Sequence, residues 1–319
     1  MKVTVLMPCF EDAVTAAELV EETAGFLRSH GHEASFLIVD DGSQSSLAKT
    51  FDERLPESLD LVWLLELKRN LGHQRAIACG LCYLAENAPD VEAVVIMDSD
   101  GEDRPEDVPK LVEIIEKNGG PPAIVFAERM RRTECFSFRL GYRLYLAMHW
   151  FLAGHAPRVG NFSALPMSLL PGLVTDADLW SHYAATIWKS RRRRVLLPVP
   201  RGRRRRGSSH LGLGGLVLHG LAAISCYRET LALRMLAGCA LLLVGTGTAF
   251  AVALVTATWT QAAMAAGLAF GVMVSLSLLA FSQCFLVLQN RHQSTMLPVH
   301  DYVPFIHQQR QLRPRVSQS

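Results

Sequence analysis

What this chain lacks most conspicuously is charge over one long stretch: Met235 to Asn290, 56 consecutive residues, contains no Asp, Glu, Lys or Arg. That absence excludes a solvated surface there. At about 1.5 Å of rise per helical residue, the stretch suffices for two crossings of a hydrocarbon core about 30 Å thick. The polar, aromatic break Thr256-Ala257-Thr258-Trp259-Thr260-Gln261 marks the turn between two transmembrane helices. A buried hairpin in a soluble domain is the competing reading, but each half is apolar on every side. Acidic residues are also scarce towards the C-terminus. Residues 201–319 hold 11 Lys and Arg against 2 Asp and Glu, a net of +9, whereas residues 1–200 hold 21 against 28, a net of −7. Cysteine is sparse as well: seven, odd in number and scattered, which excludes a disulfide scaffold and points to reduced thiols. Cys79-Gly80-Leu81-Cys82 falls in the middle of a helical pattern and not at a helix start, so helix packing is its reading, not redox chemistry.

No cationic stretch followed by an apolar run of signal-peptide length opens the sequence, so the N-terminal part is expected to stay in the cytosol. Lys and Arg flank both sides of the apolar hairpin, and two crossings return the chain to its starting side, which makes both flanks cytoplasmic and the protein a multi-pass inner (plasma) membrane protein. A basic segment beside a hairpin suits anionic head groups. The runs Arg191 to Arg194 and Arg203 to Arg206 have no stacking motif or reading helix with them, which argues against nucleic acid. Internal repeats are absent.

What is present in the first 130 residues is a regular alternation. Strands are expected at Val3–Met7, Ala34–Val39, Leu59–Leu67, Ala93–Met97 and Ala123–Ala127. Helices are expected at Ala13–Arg28, Ser45–Glu53, His73–Glu86 and Pro105–Lys117. Such alternation means βαβ units and a mostly parallel sheet. Val195–Val199 reads as a further strand. The organisation expected is a cytoplasmic domain over 1–210, interfacial helices over 211–233, two transmembrane helices over 234–290 and a cytoplasmic tail over 291–319.

Two acidic clusters sit where buried strands end: Asp40-Asp41-Gly42-Ser43 and Asp98-Ser99-Asp100. Ligands in open α/β sheets bind beyond the carboxyl ends of the strands. An Asp-x-Asp there brings two hard oxygens to one point, a common way to hold Mg²⁺ or Mn²⁺ that also ligates phosphate. Asp98 and Asp100 are the candidate metal ligands, with Glu102 a further oxygen. Arg129, on the same sheet edge, is a candidate for neutralising a diphosphate leaving group. Taken alone, Asp-x-Asp equally describes a solvated acidic turn with a helix cap at Asp103.

Four segments in order and spacing raise the first reading: Val5-Leu6-Met7-Pro8-Cys9-Phe10-Glu11-Asp12, Ile38-Val39-Asp40-Asp41-Gly42-Ser43, Arg69-Asn70-Leu71-Gly72-His73-Gln74-Arg75-Ala76 and Ile96-Met97-Asp98-Ser99-Asp100-Gly101-Glu102-Asp103. They resemble family 2 glycosyltransferases, most closely the polyprenyl-phosphate branch that includes dolichyl-phosphate mannose synthases and bactoprenol glucosyltransferases. Arg204-Arg205-Arg206-Gly207-Ser208-Ser209-His210 is similar to a basic element of that branch.

The resemblance implies a nucleotide-sugar-binding A-type glycosyltransferase fold and an inverting transfer of a hexose from a nucleotide-diphosphate sugar to a polyprenyl phosphate. It implies that Asp41 meets the nucleotide base beside Pro8, Phe10 and Asp12, and that Asp98 and Asp100 bind the metal, with Glu102 where the branch has Gln. It further implies that Arg129, and Arg131 less directly, face phosphate, and that Arg204 and Ser209 hold the lipid phosphate. Two alternatives stay open: transfer to a lipid or glycan hydroxyl with Asp176 or Asp178 as base, or a nucleotide-sugar-binding scaffold without turnover. The absence of Gln-x-x-Arg-Trp and the presence of only two spans argue against a processive synthase. Homo-oligomerisation is left open.

Overall fold

A computed structural model describes residues 1–56, 59, 61–88, 90–129, 146–147, 149–154, 159–206, 213–256, 259–293 and 297–313. They form two compact units, the first drawn from residues 1–135, 157–226 and 296–319 and the second from residues 136–156 and 227–295.

The first unit is built on β1 (Lys2–Cys9), α1 (Ala13–Ser29), β2 (Glu33–Asp40), α2 (Leu47–Arg54), β3 (Leu61–Leu67), α3 (His73–Asn87), β4 (Ala93–Ile96), α4 (Val108–Glu116) and β5 (Ala123–Arg129). After these come β6 (Ser163–Pro166), α5 (Tyr183–Lys189), β7 (Arg193–Val199), α6 (Leu213–Ser225) and β8 (Ile306–Arg313). The eight strands make one sheet in the order β7-β5-β6-β4-β1-β2-β3-β8. Pairings β1–β2, β1–β4, β2–β3 and β5–β7 are parallel, while β6 runs antiparallel to both β4 and β5. The sequence reading of a mostly parallel α/β sheet therefore holds.

Both faces of the sheet are covered, which is why β4 and the Val5–Met7 part of β1 read as continuous apolar runs with no alternation. Val3, Val5 and Met7 pack with α1, α2 and α4 on one face. Leu6, Val94 and Ile96 pack with α3 and α5 on the other, where Cys79 and Cys82 are fully buried. Burial pushes the Cys79 thiol up to about 12, so the Cys-x-x-Cys pair is core and not a redox centre. Gly80 belongs here by size, since a Cβ would stand 2.4 Å from a Leu6 methyl.

Two strands escape the sequence reading for physical reasons. Strand β6 is only four residues long, too short for a period to show. Strand β8, Ile306-His307-Gln308-Gln309-Arg310-Gln311-Leu312-Arg313, is mostly polar because it lies at the sheet edge, antiparallel to β3, where one side faces water. Its last residue secures it: Arg313 is 1% exposed and donates to the carbonyls of Leu55 (2.7 Å), Asp52 (3.2 Å) and Pro56 (3.4 Å).

The second unit contains α7 (Arg228–Thr256) and α8 (Trp259–Gln293), packed side by side and separated at the expected polar break. Within them Arg228–Thr248 and Gln261–Cys284 are long and apolar enough to cross a membrane, and the share of these windows buried is 6% and 0%. Leu241, Val255, Leu268 and Phe281 are exposed. Helices apolar all round yet unburied are not a soluble core. The chain leaves the sheet unit after Cys226 and re-enters it to form β8.

Candidate active site

The run β3-β2-β1-β4 reverses strand order between β1 and β4, the point at which open α/β sheets form a crevice beyond their carboxyl edge. Three loops meet there, from the ends of β1, β2 and β4. Because β5 and β7 are parallel to each other and share the direction of β4, Arg129 at the end of β5 lies on this edge too, and β7 delivers the segment 201–206 to it.

Asp41 is 3% exposed and holds the loop after β3: its Oδ1 accepts from the Leu71 amide at 2.7 Å and its Oδ2 from the Gly72 amide at 2.9 Å. Gly42 makes that approach possible. Its φ is +76°, and a Cβ would sit 2.6 Å from the Arg69 carbonyl carbon and the Asn70 nitrogen. Asp40 Oδ1 accepts from the Ser43 amide at 2.9 Å. Glu11, with φ of 57°, ties the β1 loop to the β2 loop through the Gln44 amide at 2.6 Å and the Ser45 hydroxyl at 3.1 Å. Burial raises both the Asp40 and Asp41 carboxyls, and the amides bonded to them offset only part of that rise.

At the β4 end, the Asp98 amide donates to Asp103 Oδ2 at 3.0 Å, so Asp103 braces this loop from its buried position. Asp100 Oδ1 accepts from the Glu102 amide at 2.9 Å, and its Oδ2 accepts from Arg204 Nη1 at 3.2 Å. Arg204 Nη2 donates to Asp12 Oδ2 at 2.8 Å, so one guanidinium bridges carboxylates from the β1 and β4 loops. Arg201 is bonded to Glu102 through Nε (2.9 Å) and Nη2. Main-chain bonds from Gly202 to the Glu102 carbonyl (2.8 Å) and from Arg205 to the Asp100 carbonyl (3.0 Å) bind the two segments together. Burial is also the main cause of a raised Asp100 carboxyl, with Asp98 and Glu102 adding to it and Arg204 opposing.

The sequence-predicted residues thus gather on one edge. Pro8 is buried in β1, Phe10 follows half-buried, and Asp12, Asp41, Asp98, Asp100, Glu102 and Arg204 surround the crevice. Ser209 and Arg131 lie outside the described residues. Asp176 and Asp178 are spent elsewhere: Asp176 Oδ1 caps a turn by accepting from the Asp178 amide at 3.1 Å, and Asp178 pairs with Lys189 at 2.6 Å. Neither is placed as a general base. Sequence reasoning missed Glu11 and Arg201, and gave no role to His73, Gln74 or Asn161. His73 Nε2 lies 3.2 Å from Asp98 Oδ1 and 3.0 Å from Asn161 Nδ2. The signal was available, since His73 and Gln74 open α3 directly after the loop that Asp41 holds.

Among the described residues no group of three His, Cys, Asp or Glu converges as a ready-made metal cage. Glu102 is engaged by Arg201. A Mg²⁺ or Mn²⁺ ion bound together with substrate phosphates needs only one or two carboxylates from the protein, and Asp98 and Asp100 supply that donor chemistry.

The sequence profile described as Glycosyl transferase family 2 matches residues 4–162, the span that builds β1 to β5 and the loops of this site. Undecaprenyl-phosphate 4-deoxy-4-formamido-L-arabinose transferases are similar to this chain. The one from Proteus mirabilis is 25% identical over 58% of this chain and 53% of its own length. The one from Sodalis glossinidius is 24% identical over 80% and 76%. The match therefore spans about half of the Proteus relative. Among solved structures, mannosyl-3-phosphoglycerate synthase from Rubrobacter xylanophilus superposes with a TM-score of 0.50 at 16% identity, over 72% of this chain and 74% of that one. Glucosyl-3-phosphoglycerate synthase from Mycobacterium tuberculosis, solved with Mn²⁺, UDP-glucose and phosphoglyceric acid, gives 0.50 at 15%, over 72% and 79%. These show the A-type glycosyltransferase fold. With the four ordered motifs, the matched profile and the strand-end carboxylates, the chain belongs to glycosyltransferase family 2.

Proposed function

We propose that this protein is a membrane-bound inverting glycosyltransferase that moves a sugar from a nucleotide-diphosphate donor to a polyprenyl phosphate at the cytoplasmic leaflet of the inner membrane. The observation that carries the reading is Arg204, which belongs to the basic segment preceding the apolar hairpin and yet bridges Asp12 and Asp100 in the crevice. The donor end and the basic, lipid-proximal end of the sequence thus meet at one guanidinium. The names of the similar undecaprenyl-phosphate transferases support the acceptor class.

In this reading Asp98 and Asp100 hold a divalent cation, which when bound stabilises negative charge on the departing diphosphate. The Mn²⁺ in the mycobacterial fold relative supports a cation of this class. Pro8, Phe10 and Asp12 wall the nucleotide pocket, and Asp41 supports it through the 69–72 loop. Arg129, at the end of β5, is assigned to the diphosphate. Arg204 can exchange a carboxylate partner for a phosphate oxygen, a charge-assisted bond of the same kind, and Ser209 joins it on the acceptor. A lipid phosphate is already ionised, so attack on the anomeric carbon needs no general base, and the protein's task is alignment and charge stabilisation. Entry opposite the leaving nucleotide inverts the centre. The engaged states of Asp176 and Asp178 fit this account better than a hydroxyl acceptor.

The test is transfer of radiolabel from a panel of nucleotide sugars into the organic-extractable fraction by purified protein with undecaprenyl phosphate. One donor is expected to label that fraction in a divalent-cation-dependent way, with the signal lost in Asp100→Ala. Labelling undiminished in Asp100→Ala at limiting Mg²⁺, or no labelling with any donor, would contradict the reading.

A further inference from the structure

A short helical turn from the middle of the sequence packs beside the first long apolar helix. Residues 149–153 are helical and belong to the same compact unit as α7 and α8. Successive helical residues are turned by about 100°, so positions 149 and 153 share one face while positions 150 and 151 point away from it. Burial follows that division: His149 and Ala153 are buried, whereas Trp150 is 62% exposed and Phe151 65%. The His149 ring meets the ring of Tyr227 edge to face, centroids 6.4 Å apart, one residue before α7 begins.

Arg234 fixes where this turn sits along α7. Its Nη1 donates to the carbonyls of Trp150 at 2.9 Å and Phe151 at 2.7 Å. Gly154 ends the turn at a φ of +87°, its amide donating to the Trp150 carbonyl at 2.9 Å, and a Cβ there would stand 2.9 Å from Arg234 Nη2. The joint is specific: a positive-φ glycine stops the turn and a guanidinium caps its carbonyl end. Arg234 lies inside the apolar window Arg228–Thr248 and is the last charged residue before the uncharged stretch Met235 to Asn290. In a spanning helix a guanidinium at that place keeps to the boundary between head groups and hydrocarbon. Trp150 and Phe151, carried on backbone bonded to it, lie at the same depth, the level at which aromatic side chains are favoured in membrane proteins. Leu233 and Leu236 on either side of Arg234 are exposed as well.

We propose that the 149–154 turn is a second membrane contact, with Trp150 and Phe151 entering the interfacial layer of the leaflet at the N-terminal end of α7. Its partner is the phospholipid of that layer, because the anchoring guanidinium belongs to the span itself. This rests on the membrane-bound reading above and adds to it a contact from the chain between β5 and β6.

The test uses the full chain in nanodiscs of phosphatidylethanolamine and phosphatidylglycerol, with the photoreactive residue p-benzoylphenylalanine placed singly at position 150, 151, 268 or 26 and intact mass read after irradiation. Leu268 is an exposed residue within the second apolar window, and Phe26 is a part-exposed aromatic on α1. All four side chains are accessible, so each substitution should leave the fold intact, and circular dichroism checks that it does. Positions 150, 151 and 268 are expected to gain the mass of one phospholipid, and position 26 to gain none. A lipid adduct at 268 with none at 150 and 151 overturns this inference and leaves the membrane-bound reading intact. A covalent dimer through 150 or 151 in place of the lipid adduct assigns the two aromatics to a second copy of the chain and also overturns it. An adduct at 26 equal to that at 151 overturns it by showing that any exposed aromatic is labelled. Lipid adducts at no position overturn both readings.

Discussion

Asp41→Asn separates two roles for one carboxylate. The resemblance to family 2 enzymes assigns Asp41 to the nucleotide base, whereas the structure commits both its oxygens to the Leu71 and Gly72 amides, at 2.7 and 2.9 Å. Asparagine keeps one acceptor and turns an NH₂ on the other amide. The loss is one charge-assisted bond, about 1.5–3 kcal/mol, plus an unpaired buried N–H, about 1–3 kcal/mol. Against it stands relief of a buried charge, since burial raises the Asp41 carboxyl. The balance is about 2–4 kcal/mol of lost local stability, because the relief offsets only part of two penalties. Each 1.4 kcal/mol is tenfold, so amide exchange at Leu71 and Gly72 should accelerate by about 30-fold or more, up to the limit set by global unfolding. The assay is hydrogen exchange read at the 69–72 segment, with donor affinity measured in parallel. Weakened donor binding with unchanged exchange at 71 and 72 would refute the bracing role and return Asp41 to the nucleotide alone.

Arg313→Met should cost about 1–3 kcal/mol in the docking of β8, since the buried Leu55 carbonyl and the partly buried carbonyls of Asp52 and Pro56 lose their donor. Tryptic cleavage after Arg310 should then speed up about tenfold or more, and an unchanged rate would contradict the pinning. Asp100 has a folded-state carboxyl above its ordinary value, so the folded state binds more protons than the unfolded one, and stability falls as pH rises from about 4 through the folded value. Asp100→Asn lacks that penalty, and its melting temperature should gain on wild type between about pH 4 and pH 7. A gap that narrows over that range would reverse the sign of the argument.

How much of this was legible in the sequence depended on distance along the chain. Strands β1 to β5 announced themselves because both sheet faces are covered and each strand carries a largely apolar run. The acidic pairs at the ends of β2 and β4 were legible for the same reason, as charge placed abruptly after such runs. The polar edge strand β8 carried no such pattern. The charge bridges were invisible too: Arg204 reaches Asp12 across 192 positions and Asp100 across 104, and no periodicity reports a contact of that separation. Glu102 was expected to face a metal and instead meets Arg201, a partner 99 residues away. His73 and Asn161, 88 positions apart, meet only in the folded chain.

The most direct measurement is the acid lability of the product. If an ionised lipid phosphate is the nucleophile, sugar transferred by the purified protein sits on a glycosyl phosphate, and mild acid should release essentially all of the label from the lipid. Label that survives the same treatment would identify a glycosidic bond to a hydroxyl, and with it an acceptor that this account does not allow.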